Sequence, residues 1–313
     1  MDQLAAGKEN YSEEQFFRAL SEIHVLNFLM TFGSGFKEGI YEPKLNSSSE
    51  SNPEARLIFE NEITIDVEVK TPGFSRLTKP NKNKIGIIKP NVIISDKGIR
   101  KIRMYCEKNK IELMLPRVLK LKDFIKSAAS KFEVPTSNKH FNLLFINWTY
   151  TDFPECDLHE PISLFVNPIS GILSYNKKTL ELLNISEKEL DKISAIVLYK
   201  DNINNILFGD FRYHFQDKSF AYLINDINGN TTDFDLLSKI LRINPYNNEM
   251  SIEWWPTDFE CDKDKYKKNI TKACDYVSEI IFQSKEFTRE LYQESLCSDI
   301  EKQCVLNKST NWY

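Results

Sequence analysis

The chain reads as an α/β or α+β core over residues 1–230 followed by a mainly helical region over 231–313. Three patterns carry that reading. Apolar residues recur at helical spacing over 12–31, strict alternation marks strands such as 62–70, and from Thr231 onward helical spacing prevails. A length of 313 residues suits one large domain with an appendage, or two domains, and a 41% hydrophobic content suffices for a sizeable core.

Ser12, followed by Glu14 and Gln15, resembles a helix cap of the S-x-x-Q type. Phe16, Ala19, Leu20, Ile23, Leu26, Phe28 and Met30 give the first helix a broad apolar surface, and Gly33 and Gly35 end it. An extended piece, G-I-Y-E-P-K-L, and a polar loop, N-S-S-S-E-S-N, come next. Pro53–Phe59 is expected as a strand with Ala55, Leu57 and Phe59 inward and Glu54, Arg56 and Ile58 outward. E-N-E at 60–62 turns the chain into the strand E-I-T-I-D-V-E-V-K. Its Ile63, Ile65, Val67 and Val69 are expected to be buried, with Thr64, Asp66, Glu68 and Lys70 on a wet face. Thr71-Pro72-Gly73 stops it. Further on, I-G-I-I-K-P-N-V-I-I-S is extended, Asp96 opens a helix to about Lys110, and I-E-L-M-L-P-R-V is a strand. A helix over 119–132 and strands over 141–149, 193–199 and 208–215 follow. D-F-D-L-L-S-K-I-L-R and the stretch from Asp262 to about Lys308 are helical.

The chain opens without a basic segment and apolar run, and no apolar stretch reaches the roughly 20 residues that span a bilayer. A cytoplasmic protein without membrane partners is therefore expected. Six cysteines lack any C-x-x-C pair and read as reduced, mostly structural thiols. The four histidines are far apart, and His24 reads as a packed or edge residue. Sequence patterns for nucleotide-driven, dehydrogenase, esterase and zincin chemistry are absent. Trp148, Trp254 and Trp255 are assigned to the core rather than to base stacking.

The chemistry concentrates around 54–70. Asp66, Glu68 and Lys70 share one strand face. If the turn is a three-residue loop centred on Asn61, Glu54 and Glu68, each seven residues from it, become cross-strand neighbours. Two carboxylates so close repel unless a cation lies between them, and a divalent ion with oxygen ligands is the natural compensator. Lys70 would stand beside that ion. A one-residue slip in register would turn Glu54 to the wrong face.

These residues resemble the PD-(D/E)XK nuclease superfamily. P53-E54 stands fourteen residues before E68-V69-K70, a typical interval, and the order of helix, extended piece, acid-bearing hairpin, helix and strand also matches over roughly 12–118. The resemblance implies an α/β, restriction-endonuclease-like core, a mixed central sheet flanked by helices, and an endonuclease of restriction or defence type that hydrolyses phosphodiester bonds, with DNA the usual substrate and RNA rarer. It further implies that Glu54, Glu68 and the Val69 carbonyl hold Mg2+ (or Mn2+), that Lys70 positions water, and that Glu22 on the preceding helix completes the site. Glu22 is bordered by Leu20, Ile23, Val25 and Leu26, where an unpartnered carboxylate is costly, although helix surfaces carry glutamates routinely. The family usually has aspartate where Glu54 stands. The extra methylene leaves room for two alternatives: Asp66 serving as a ligand, or a catalytically inactive protein of the same fold that binds nucleic acid or a protein partner.

Charge distribution adds a second line. From Lys70 to Lys131 the chain has 17 Lys and Arg against four acids, within a total of −4. Such a stretch suits a polyanion, since phosphate contacts dominate nucleic-acid affinity; the alternative is a solvated lysine-rich surface. The loop Thr71–Lys84, with Arg76, Lys79, Lys82 and Lys84 and no acid, leaves directly from the site and is the expected nucleic-acid contact, or else a solvated loop. The C-terminal helices are open to packing on the core, reading DNA or forming a homodimer.

Overall fold

The computed structural model describes residues 12–45, 52–72, 86–88, 96–113, 115–148, 159–166, 171–174, 177–199, 220–224 and 234–241. Their elements fall into two compact units that interleave along the chain. The expected boundary at 230–231, the strand at 208–215 and the helices beyond 262 lie outside the described residues.

The first unit holds a six-stranded mixed sheet. Its strands are β1 (Phe36–Tyr41), β2 (Ala55–Phe59), β3 (Ile63–Lys70), β6 (His140–Asn147), β7 (Ala195–Tyr199) and β8 (Phe220–Ile224), adjacent in that order. β1, β2 and β3 form an antiparallel meander, β3, β6 and β7 run parallel, and β8 returns antiparallel to β7. The short helix α6 (Glu187–Leu190) precedes β7. The second unit contains β4 (Gly86–Ile88) paired in parallel with β5 (Ile111–Leu113), the helix α2 (Asp96–Lys108) between them, α4 (His159–Val166) and α5 (Lys177–Leu183). Among the described residues no helix is long and apolar enough to cross a membrane.

Helix α1 (Glu13–Phe32) opens as expected: the Ser12 side chain accepts from the Gln15 amide at 3.3 Å. Its buried stripe differs in detail. Phe17, Ala19, Val25, Phe28 and Leu29 are buried, whereas Ile23 and Met30 are exposed. Two glycines end it for different reasons. Gly35 sits at φ +79°, where a side chain is strained. At Gly33 a methyl group would lie 2.2 Å from the Leu29 carbonyl oxygen and 2.7 Å from the Phe59 ring.

Val25, Phe28 and Leu29 of α1 join Leu237, Ile240 and Leu241 of a later helix, α7 (Phe234–Leu241), in one core cluster. Against them pack alternate residues of the sheet, including Leu57, Phe59, Ile65, Val67, Leu143 and Phe145. Fully burying each such side chain is worth about 1.5–3 kcal/mol. The other face of β3 corrects one expectation: Asp66 and Glu68 are buried, not wet. β3 is a central strand between β2 and β6, and the parallel β6 is buried along its whole length, as strands covered on both faces are. The strand expected over 111–118 shrinks to Ile111–Leu113, and Val118 opens α3 (Val118–Lys131).

Gly33→Ala is expected to destabilise the fold by about 1–3 kcal/mol, the usual effect of overpacking. Gly39→Ala meets only side-chain ends, the nearest being Leu57 Cδ2 at 3.2 Å, and serves as the milder comparison. Urea unfolding of the two variants checks this.

Candidate metal and phosphodiesterase site

Register makes the site. β2 and β3 pair from Phe59↔Ile63 to Ala55↔Val67 around Asn61, which adopts φ 58° as asparagine tolerates. The three-residue loop is the one expected; the paired ladder ends at Ala55↔Val67, and Glu54 follows just beyond it. The Glu54 backbone is fixed on both sides: its amide donates to the Val67 carbonyl at 2.9 Å, and its carbonyl accepts from the Glu42 amide at 2.9 Å.

The carboxylates of Glu54 and Glu68 converge, but on an ammonium that the sequence reading overlooked. Lys131 Nζ lies 2.7 Å from Glu68 Oε1 and 3.3 Å from Glu54 Oε1. Lys70 Nζ approaches the same Glu68 oxygen at 2.5 Å. Glu68 Oε2 is buried and accepts no hydrogen bond among the described residues. Lys131 is the final residue of α3, an end where the helix dipole favours a cation. It was one of 17 basic residues in its stretch, and nothing in its spacing marked it out.

Glu22 joins from α1. Its neighbour Ser21 donates to the Phe17 carbonyl at 3.0 Å and accepts from Asn147 Nδ2 of β6 at 3.1 Å, which ties that turn of α1 to the sheet. Burial, with Glu54 and Glu68 nearby, pushes the Glu22 carboxyl up from 4.5 to about 7, against the pull of Lys70 and Lys131. Burial and the Glu68 charge also raise Glu54. Burial works against the Lys131 ammonium, but Glu68 and Glu54 outweigh it and hold its pKa above the ordinary lysine value. Exposed Tyr41, at the end of β1, feels the same cluster: partial burial and the charges of Glu22, Glu42 and Glu54 raise its phenol.

Asp66 shares the strand face with Glu68, but its carboxylate is engaged elsewhere. Arg56, its ladder partner, grips it with Nε and Nη2, both at 2.7 Å, and His140 Nε2 lies 2.9 Å from Oδ2. Burial favours the neutral acid there, yet those hydrogen bonds prevail and hold the Asp66 pKa below its ordinary value. Val69 faces the core and offers the site only its backbone. Thr71 Oγ1, just past Lys70, is buried without a partner among the described residues. Arg76, Lys79, Lys82 and Lys84 lie outside the described residues.

Among the described residues no group of three or more His, Cys, Asp and Glu side chains is gathered as a ready metal cage. Within the acid set, the Lys131 ammonium stands between Glu54 and Glu68. What is assembled is three carboxylates and two ammoniums at one end of β3. No protein-family model matches the chain, and no curated protein is significantly similar to it.

The raised Glu22 pKa has a definite sign. Between 4.5 and about 7 the folded chain binds a proton that the unfolded chain has released, so this group's contribution weakens stability as pH rises through that window. Glu22→Gln removes the effect. The variant is expected to gain stability over the parent progressively from pH 5 to 8, as followed by urea unfolding across a pH series.

Proposed function

We propose that this chain is a metal-dependent endonuclease that hydrolyses phosphodiester bonds in nucleic acid, with DNA as the preferred substrate and a PD-(D/E)XK-like core. The observation that carries the reading is the meeting of Glu54, Glu68 and Lys70 at one point, with Glu22 beside them. The donor set fits a hard divalent cation such as Mg2+ or Mn2+: two carboxylates already share one cation, and Glu68 keeps a buried oxygen with no hydrogen bond among the described residues. Glu54, Glu68 and the Val69 carbonyl would hold the ion. Asp66 is left out of the set because Arg56 and His140 hold its carboxylate.

Such an ion, when bound, supplies a more acidic water and polarises a phosphate oxygen. The protein groups do the rest. Lys70 orients the attacking water and offsets charge that develops on the phosphate. Glu22, with a pKa about 7, is poised to take a proton from that water near neutral pH. The surplus of 17 basic residues over four acids between Lys70 and Lys131 supports a polyanionic substrate.

A second reading, a non-catalytic protein of the same fold that binds nucleic acid or a protein, is favoured by one observation: Lys131 already bridges Glu54 and Glu68. Plasmid, linear and single-stranded DNA and RNA, incubated with the protein and Mg2+ or Mn2+, separate the two. The endonuclease reading expects nicking or linearisation of circular DNA that falls about 10²-fold or more in Glu68→Gln and in Lys70→Ala, with folding retained. Undiminished cleavage in both variants rejects this site. Absence of cleavage by the parent chain on every substrate leaves the binding protein.

A further inference from the structure

The second ammonium of the site has no part in the chemistry above, yet it holds the most central place. Lys131 is the group that touches both strand carboxylates; Lys70 is paired with Glu68. We infer that Lys131 is a built-in counter-ion that keeps the place of the divalent cation, and that metal binds by exchange with its ammonium. This rests on the metal-site reading.

Three observations support the exchange. Glu68 is fully buried, the Glu54 side chain is 13% exposed and the Lys131 side chain 16%, so water screens the two acids poorly. Two buried carboxylates brought together without a cation repel strongly, which explains why the metal-free hairpin needs an internal one. The ammonium is also carried in the right way to leave. It sits on a flexible four-carbon stem at the last residue of α3, where withdrawing the side chain breaks no helical hydrogen bond of its own. Finally, the formal charges balance through the change. With all three acids ionised, Glu22, Glu54 and Glu68 against Lys70 and Lys131 leave one negative charge, and replacing the Lys131 ammonium by a divalent ion makes the set neutral.

A counter-ion of this kind is distinct from a residue that supports the metal, and the two act in opposite directions. A competitor weakens metal affinity; a supporting residue strengthens it. The competition also predicts that the wild-type chain binds metal more weakly than its carboxylates alone would allow.

Isothermal titration of Mn2+ into the wild-type chain, Lys131→Met and, as the baseline for the site, Glu68→Gln tests the exchange. Lys131→Met is expected to bind Mn2+ about tenfold or more tightly than wild type, since even a partly screened ion pair at contact distance is worth at least that much. Its melting temperature without metal should drop, and the rise on adding Mn2+ should exceed that of wild type. Equal or weaker Mn2+ binding by Lys131→Met, with binding by wild type intact, overturns the inference and leaves the metal site standing. Failure of both wild type and Lys131→Met to bind Mn2+ above the Glu68→Gln baseline overturns both. Should Lys131→Met not fold, amine labelling of the wild-type chain read by mass spectrometry decides. Lys131 should be acetylated several-fold faster with Mn2+ present, and an unchanged or slower rate rejects the exchange.

Discussion

The register of the β2–β3 hairpin is the constraint from which the rest of the site follows. A strand displaced by one residue exchanges its faces, so Glu54 meets Glu68 only if the loop has three residues and Asn61 accepts a left-handed backbone. The Arg56–Asp66 pair locks that choice. Its two hydrogen bonds join directly opposed ladder residues, and His140 on the far neighbour β6 completes the clamp. Asp66 therefore contributes by holding the ladder in place, two residues from the carboxylate that does face the site.

Around this frame the sheet separates two kinds of side chain. One face of β2 and β3 is wholly apolar and packs under α1 and α7. The other carries acids that are nearly as buried, which is tolerable only because each meets a cation: Asp66 meets Arg56, and Glu68 meets Lys70 and Lys131. The titration shifts follow from the same arrangement. Asp66, gripped by a guanidinium, stays ionised more readily than usual, while Glu22 and Glu54, crowded by burial and by other acids, resist ionisation. Carboxyl groups are thereby driven apart in their readiness to ionise within one small region.

Much of this was legible in the sequence because it depends on short-range patterns. Alternation over 62–70 gave the strand, the spacing about Asn61 gave the loop and the register of the hairpin, and S-x-x-Q gave the start of α1. What escaped was set by distant pairing. The burial of Asp66 and Glu68 follows from β6, some seventy positions on, settling beside β3. Lys131 and His140 are ordinary in their own neighbourhoods, and only tertiary contact gives them roles. The apolar surface of α1 was misjudged at Ile23 and Met30, where helical spacing alone does not show how far the packed stripe extends. The short helices α4 and α5 carry too few turns for periodicity to declare them.

The interleaving of the two units along the chain bears on how the protein assembles. The hairpin is local, and Lys70 on its own strand pairs with Glu68, yet the lysine that bridges both glutamates is more than sixty positions away, beyond the whole of β4, α2 and β5. Chain closure over such a distance is slow compared with hairpin formation. Bridging of the two acids therefore waits on α3, so the docking of one helix end and the completion of the acid-bearing strand are coupled through Lys131.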